Sequence, residues 1–328
     1  MSVLTYPTVL DDLGRVGDIG LPVRTDPQFQ EEVERCRRWG FKIRSSGDLI
    51  HLIFDREQLV PLWIQEETPP IAWENLCAKG FLRLESTNKE AHTLAERGAA
   101  SGTLVYAEEQ TGGRGRQGRT WHSPAGTGLY CTLIVRPKQA RKFWPILTHV
   151  ASIALVDAIK ELADQGLLAL PPDVDIKWPN DVLLSGKKCA GILLEALSDG
   201  ADNAAALVGF GINVHKGSVP EDLSREAACL DEMTNTIVPR RQLLVLYLKY
   251  FQICYRMFEQ GRHKEVLNRW KSASSMWQDT PVFIGKGDAR REAVTCGLND
   301  LGALRVRAAD GRMETLFAED VSVSRRRP

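Results

Sequence analysis

The sequence predicts an α+β protein built as three units, and three observations predict it. Over residues 1–65 an amphipathic helix is followed by a short hairpin, the outline of a winged-helix-like unit. Residues 71–275 mix short apolar, strand-like runs with long helical patterns, which suits a sheet flanked by helices. From Thr280 the texture changes to short alternating strands with Gly285, Gly287, Gly297, Gly302 and Gly311 at turns, which suggests a small β-barrel over 279–328. At 328 residues the chain can bury a large core.

Composition narrows the function classes. Lys and Arg number 42, as do Asp and Glu, so no global field draws the chain toward nucleic acid or membrane, and anion binding must be local. The seven cysteines (Cys36, Cys77, Cys131, Cys189, Cys229, Cys254, Cys296) are scattered, odd in number and free of any C-x-x-C pair. That favours reduced thiols in a cytoplasm over a disulfide framework or a zinc cluster. No basic, apolar export signal opens the chain, and no apolar run reaches the roughly 18 residues of a membrane span. A cytoplasmic protein with no membrane partner is expected.

In the first unit, Asp26-Pro27 reads as an N-cap followed by Pro at the first helical position, with Phe29, Val33, Cys36 and Trp39 on one face and Gly40 as the stop. Residues 41–54 read as a hairpin around Ser45-Ser46-Gly47-Asp48. Helix plus wing would make DNA binding the obvious guess. Against it, the outward positions include Glu31, Glu32 and Glu34, which repel a phosphate backbone, while Arg35, Arg37 and Arg38 suit the helix C-terminus. Residues 13–24, rich in Gly with Pro22, leave little room for two preceding helices, so a degenerate winged helix without operator binding is expected. Gln65-Glu66-Glu67-Thr68-Pro69-Pro70 reads as a linker.

The main unit is organised around Gln110-Thr111-Gly112-Gly113-Arg114-Gly115-Arg116-Gln117-Gly118-Arg119-Thr120-Trp121, set between strand-like runs at 103–107 and 129–135. Glycines free the backbone to turn N–H groups onto an oxyanion, and arginines add charge-assisted hydrogen bonds, so the stretch reads as an anion clamp. Upstream, Glu85-Ser86-Thr87-Asn88 leads from a strand at 81–84 into a helix at 89–97; its small polar side chains suit an N-cap and also a neutral, hydrogen-bonding ligand head. A helix over 145–162 carries a plain core stripe, and Pro171-Pro172 breaks the chain after it. Lys177 then lies inside an apolar strand before the turn Trp178-Pro179-Asn180-Asp181. A buried lysine needs an anion, either a structural carboxylate or a bound phosphate or carboxylate; the second is preferred because the glycine-arginine stretch already supplies a cation site. Strands follow at 189–195 and 204–214, the latter with Gly209-Phe210-Gly211-Ile212-Asn213, whose glycines allow close approach. Residues 240–260 and 263–270 are core helices, and the terminal Arg325-Arg326-Arg327 is a solvated tail.

Glu85-Ser86-Thr87-Asn88, Gln110 with Gly113 to Arg119 and Trp121, Lys177-Trp178-Pro179-Asn180-Asp181, Lys188-Cys189-Ala190-Gly191-Ile192-Leu193 and Gly209-Phe210-Gly211-Ile212-Asn213 occur in this order in biotin protein ligases, which the chain resembles from about residue 80 to its end. The resemblance implies a class II synthetase-like mixed sheet over 71–275, an SH3-like barrel over 279–328 and, in the first 65 residues, the wing half of the repressor-type members. It also implies a two-step reaction. Biotin is activated by ATP to biotinyl-5′-AMP, with Mg²⁺ on the phosphates, and is then passed to the acceptor lysine of the biotin carboxyl carrier protein of acetyl-CoA carboxylase.

By the same resemblance, Ser86, Thr87, Asn88 and Gln110 match biotin-holding positions, while Arg114, Gly115, Arg116 and Lys177 would meet the carboxylate and α-phosphate. Arg119, Asn180 and Asn213 would serve ATP and its phosphates, with Asn180 and Asp181 open between metal, ribose and a simple turn. No dedicated protein metal site is expected. His122 and His215 flank motifs and read as structural rather than as general bases. A lipoate-attaching ligase has no use for so many hydrogen-bonding groups, and a biotin-responsive repressor is disfavoured by the acidic helix. Pairing of two copies through sheet edges remains a partner possibility.

Overall fold

A computed structural model describes every residue except 1–2, 17–19, 54–56, 75, 170–172, 198–203, 286–289, 318–322 and 326–328. The Pro171-Pro172 break, the turn at Gly287, the hairpin end at Phe54 and the tail residues Arg326 and Arg327 lie outside the described residues.

The chain opens with β1 (Leu4–Thr5) and α1 (Thr8–Val16), then β2 (Leu21–Pro22) and α2 (Pro27–Arg38). Helix α2 begins as its sequence requires: Phe29 N–H donates to Asp26 Oδ1 at 2.9 Å, and Pro27 fills a position whose N–H would have no partner. Phe29, Val33 and Cys36 are buried, and Gly40 ends the helix at φ 86°. β3 (Ile43–Ser46) and β4 (Leu49–Leu52) form the expected hairpin, to which β2 adds a third strand. One of the three carboxylates does not face outward. Glu32 Oε2 accepts from Thr8 Oγ1 at 3.1 Å and Val9 N–H at 3.2 Å, capping α1. The charged half of the expected linker is helical too: α3 (Pro61–Glu67) takes in Gln65-Glu66-Glu67, and Thr68-Pro69-Pro70 follows its end.

The main unit runs β5 (Cys77–Leu84), α4 (Thr87–Glu96), β6 (Thr103–Gln110), β7 (Gly128–Val135), α5 (Ile146–Asp164), β8 (Val174–Lys177), β9 (Asp181–Leu184), β10 (Lys187–Leu197), β11 (Ala205–Asn213), α6 (Leu230–Thr234), α7 (Arg240–Glu259) and α8 (His263–Ser272). Its strands and β1 make one eight-stranded mixed sheet in the order β1-β5-β6-β7-β11-β10-β9-β8, parallel between β5 and β6 and antiparallel elsewhere. Period-two alternation sorts side chains between faces. Ala206, Val208, Phe210 and Ile212 of β11 pack into the core shared with α5 and α7, whereas Ala205 and Leu207 join Ala91 and Ala95 of α4 on the other face. Each such Val or Ile contributes about 1.5–3 kcal/mol by leaving water. No helix among the described residues is long and apolar enough to cross a membrane, and all seven cysteines are free thiols.

β12 (Gln278–Ile284), β13 (Arg291–Leu298), β14 (Leu304–Ala308), β15 (Met313–Leu316) and β16 (Val323–Arg325) form a five-stranded antiparallel sheet, with β15 and β16 at its edges. Four strands fall where expected, but Arg325, read as tail, is held in the fifth, opposite Val282, and the barrel does not close: the two short edge strands make no ladder with each other among the described residues. Val282, Ile284, Leu304, Val306 and Leu316 belong to the same core as the large sheet.

A buried charged network enters where α7 begins. Arg240 pairs with Glu57 and, at 2.7 Å, with Glu108 Oε2; Tyr6 Oη donates to Glu108 Oε1 at 2.9 Å. His215 continues it, with Nε2 3.1 Å from Glu57 Oε1 and Nδ1 2.8 Å from Asp231 Oδ2. Burial alone would lower the His215 pKa, but the hydrogen bonds and charges of Glu57 and then Asp231 outweigh it and raise the pKa above the ordinary imidazole value. An imidazole raised on folding contributes stability that is complete below its unfolded pKa of about 6.5 and is lost as pH rises through the folded value. The urea midpoint of the wild type is therefore expected to fall on going from pH 6 to pH 8.5 more steeply than that of His215→Gln; equal slopes would refute the assignment.

Candidate functional site

The register of the large sheet sets Lys177 opposite Asp181, Asp181 opposite Gly191, Gly191 opposite Gly211 and Gly211 opposite Tyr130. Residues directly opposite share a face, so one row across β8, β9, β10, β11 and β7 carries a cation at one end and a glycine floor in its middle. This face is the one α4 covers. A Cβ on Gly209 would come 2.1 Å from Asn88 Oδ1, and one on Gly211 would come 2.5 Å from the Trp121 ring. The floor must be glycine because the groups above it rest on the backbone.

Above the floor, the first turn of α4 presents uncharged polar groups. Ser86 stands at the N-cap position, yet its hydroxyl makes no capping bond, and Ser86, Thr87 and Asn88 are all buried. Thr87 donates from N–H (2.8 Å) and Oγ1 (3.1 Å) to Gln110 Oε1, while Gln110 Nε2 donates to Ser123 Oγ at 3.0 Å. Thr132 Oγ1 lies 2.6 Å from Asn88 Oδ1 and 2.9 Å from Thr87 Oγ1, and Asn88 Nδ2 donates to Glu195 Oε2 at 2.7 Å. Thr132, Ser123 and Glu195 are members that sequence reasoning passes over. A signal existed for Thr132, the one aliphatic hydroxyl in the run Leu129-Tyr130-Cys131-Thr132-Leu133-Ile134-Val135.

The cations are brought in from two directions. Arg116 Nη1 donates to Asn180 Oδ1 at 3.0 Å, and Asn180 Nδ2 donates to Ile192 O at 2.8 Å, so Asn180 ties the glycine-arginine stretch to the turn after Lys177. Lys177 itself is half-buried and, among the described residues, has no ion-pair partner. Arg114 is exposed, 3.7 Å from Glu85 Oε1, and Arg119 is exposed as well. The Gly115 N–H is engaged inside the stretch, donating to Arg119 O at 2.7 Å. Asn213 shares the face of Gly209 and Gly211, but its amide donates to Ala228 O at 3.4 Å and forms no hydrogen bond with the Arg116–Asn180 group.

The turn after Lys177 is braced from below. Trp178, fully buried, donates from Nε1 to Gly302 O at 3.1 Å, and His149 Nε2 lies 3.0 Å from the same oxygen. Burial pushes the His149 pKa down to about 4, so it is neutral and serves as a hydrogen-bonding group rather than a charge.

Comparison with known proteins follows the same outline. A family model described as the biotin/lipoate A/B protein ligase family matches residues 80–213. The chain is 34% identical over 242 residues to the biotin–[acetyl-CoA-carboxylase] ligase of Paracoccus denitrificans, covering 72% of this chain and 97% of that protein. It is 32% identical over 301 residues to the bifunctional ligase/repressor BirA of Bacillus spizizenii, covering 89% and 85%. Among solved structures it is similar to the biotin protein ligase from Aquifex aeolicus in complex with biotin and ATP, at a TM-score of 0.64 and 26% identity, over 76% of this chain and 99% of that one.

Proposed function

The chain belongs to the biotin protein ligase family, and we propose that the face just described performs both halves of that chemistry, with ATP and biotin as substrates. A biotin carboxylate oxygen attacks the α-phosphorus of ATP, the bond to pyrophosphate breaks, and the adenylate forms. An acceptor lysine amine then attacks the acyl carbon, and AMP leaves.

The observation that carries this reading is Lys177: a half-buried ammonium on the same sheet row as the glycine floor, with no ion-pair carboxylate among the described residues. It would stabilise negative charge on the carboxyl and phosphoryl oxygens in both steps. Arg116 and Arg114 would screen the approach of one anion to another, and Arg119 would contact the outer phosphates. Ser86, Thr87, Asn88 and Gln110 offer donors and acceptors without charge, which suits a ureido ring better than a dithiolane. No group of three His, Cys, Asp or Glu side chains that could hold a metal exists among the described residues. Mg²⁺ would come in on the nucleotide and neutralise phosphate charge there.

Gly209→Ala tests the floor. Its Cβ would displace Asn88, and the KM for biotin is expected to rise about tenfold, since small misplacements of a bound reactant cost this much or more. An unchanged KM would remove the α4 turn from the binding site. The reading as a whole is tested by incubating the chain with ATP, Mg²⁺, radiolabelled biotin or lipoate, and an acceptor domain from acetyl-CoA carboxylase with or without its lysine. Label transfer from biotin alone, and only to the lysine-bearing domain, is expected; labelling by lipoate would overturn it.

The finer architecture belongs to this reading as well. Residues 1–65 would form a degenerate winged helix: among the described residues one helix, α1, precedes α2, where a full helix-turn-helix needs two. Arg37, moreover, is paired with Glu34. Specific DNA binding is not expected, and a nanomolar gel shift would contradict this. Residues 279–328 act as an SH3-like brace beneath the main unit, 71–275.

A further inference from the structure

In a strand of strict alternation, residues three apart lie on opposite faces. β10 breaks that rule. Cys189 and Ala190 are both in the core beneath the sheet, and the pairing with β9 jumps from Lys188 opposite Leu183 to Ala190 opposite Val182. The extra residue is a bulge at Cys189, and it turns Lys188 onto the face that carries Gly191. Backbone bonds hold it there: Lys188 N–H donates to Glu226 O at 2.8 Å, and Lys188 O accepts from Ala228 N–H at 3.0 Å.

So aimed, the Lys188 ammonium lies 2.6 Å from Asp181 Oδ1 and 5.2 Å from the centre of the Trp121 ring. Trp121 lies flat against the floor, close enough that a Cβ on Gly191 would be 3.0 Å from its ring and 3.1 Å from Lys188 Nζ. Asp181 belongs to the turn after Lys177, and Trp121 ends the glycine-arginine stretch. A single ammonium thus joins the two halves of the site. Its neighbour Lys187 shows the ordinary alternative, donating to Ser224 O at the surface, 2.9 Å away.

We infer that Lys188 is a positioning residue of the ligase reaction: anchored on Asp181, it holds the Trp121 indole against the glycine floor and keeps residues 111–121 closed over the adenylate between the two steps. This rests on the ligase reading above. Closure matters because the mixed anhydride is hydrolysed once water reaches it.

Lys188→Met keeps most of the length of the side chain and removes its charge. Hydrogen exchange in the ligand-free protein is expected to quicken about fivefold across residues 111–121, as the loss of one cation–π contact and its ion pair allows. Exchange in β6 and β7 should stay as in the wild type, which shows that the sheet is intact. In turnover with biotin, ATP and acceptor, the ratio of free biotinyl-5′-AMP to biotinylated acceptor should rise by about the same factor. Lys188→Arg should restore both, and Lys188→Met added to Trp121→Ala should change neither further. Wild-type exchange over 111–121 in Lys188→Met, or failure of Lys188→Arg to restore it, would overturn the inference. A wild type that forms no adenylate would instead sink the ligase reading, while the exchange comparison still decides the clamp.

Discussion

Lys177→Met is expected to slow formation of biotinyl-5′-AMP about 10²–10³-fold, the usual cost of losing one preorganised charge at a reacting centre. Pyrophosphate release in a single turnover measures it. The same variant should not lose stability. Lys177 is half-buried without a carboxylate partner among the described residues, so its charge already costs free energy in the ligand-free fold, and an apolar side chain of similar length relieves that cost. The paired outcome is what makes the test sharp. If the variant unfolded at lower urea and kept most of its activity, Lys177 would be a structural residue, and the cation at the end of the glycine row would have no catalytic meaning.

Arg240→Ala should act in the opposite way, on stability first. Arg240 is 5% exposed and pairs with Glu57 and Glu108, the latter only 4% exposed. Burial works against its charge, but Glu108 and then Glu57 more than offset this and raise its pKa. Removing one partner of a buried pair leaves the other charge uncompensated and costs about 3–5 kcal/mol, whereas replacing both by apolar groups is often near neutral. Urea unfolding should therefore show a loss of that size for Arg240→Ala and a substantial recovery in Arg240→Met with Glu108→Leu. A loss below about 1 kcal/mol would mean that water reaches Glu108. Because Glu57 and Tyr6 come from the first part of the chain, the variant should also loosen that part from the sheet.

Much of the large sheet and its cations is legible in the sequence. Lys177 stands out because an apolar strand penalises charge, and the stretch from Gln110 to Trp121 because glycine and arginine together serve few other purposes. What stays hidden depends on distance along the chain or on small irregularities. Glu108 looks like the polar end of a strand until Arg240, 132 residues away, is placed beside it. Lys188 is concealed by a bulge, which no alternating pattern reveals. Glu32 reads as solvent-facing because α1, only nine residues long with Val9, Leu10 and Leu13 as its anchors, leaves too faint a pattern to be noticed. Four of the last five strands are legible one by one, while β16 is too short to leave a pattern; whether they close depends on how their edges meet, which is a property of the assembled sheet.

The carbonyl of Gly302 accepts from Trp178 Nε1, and Trp178 is the residue after Lys177. A premature stop codon upstream of that glycine would thus do more than shorten the protein: it would leave the indole without its acceptor and disarm a lysine lying more than a hundred positions earlier in the message. Exchanging tails between relatives meets the same obstacle, because the incoming hairpin would have to offer an oxygen at that one point in space.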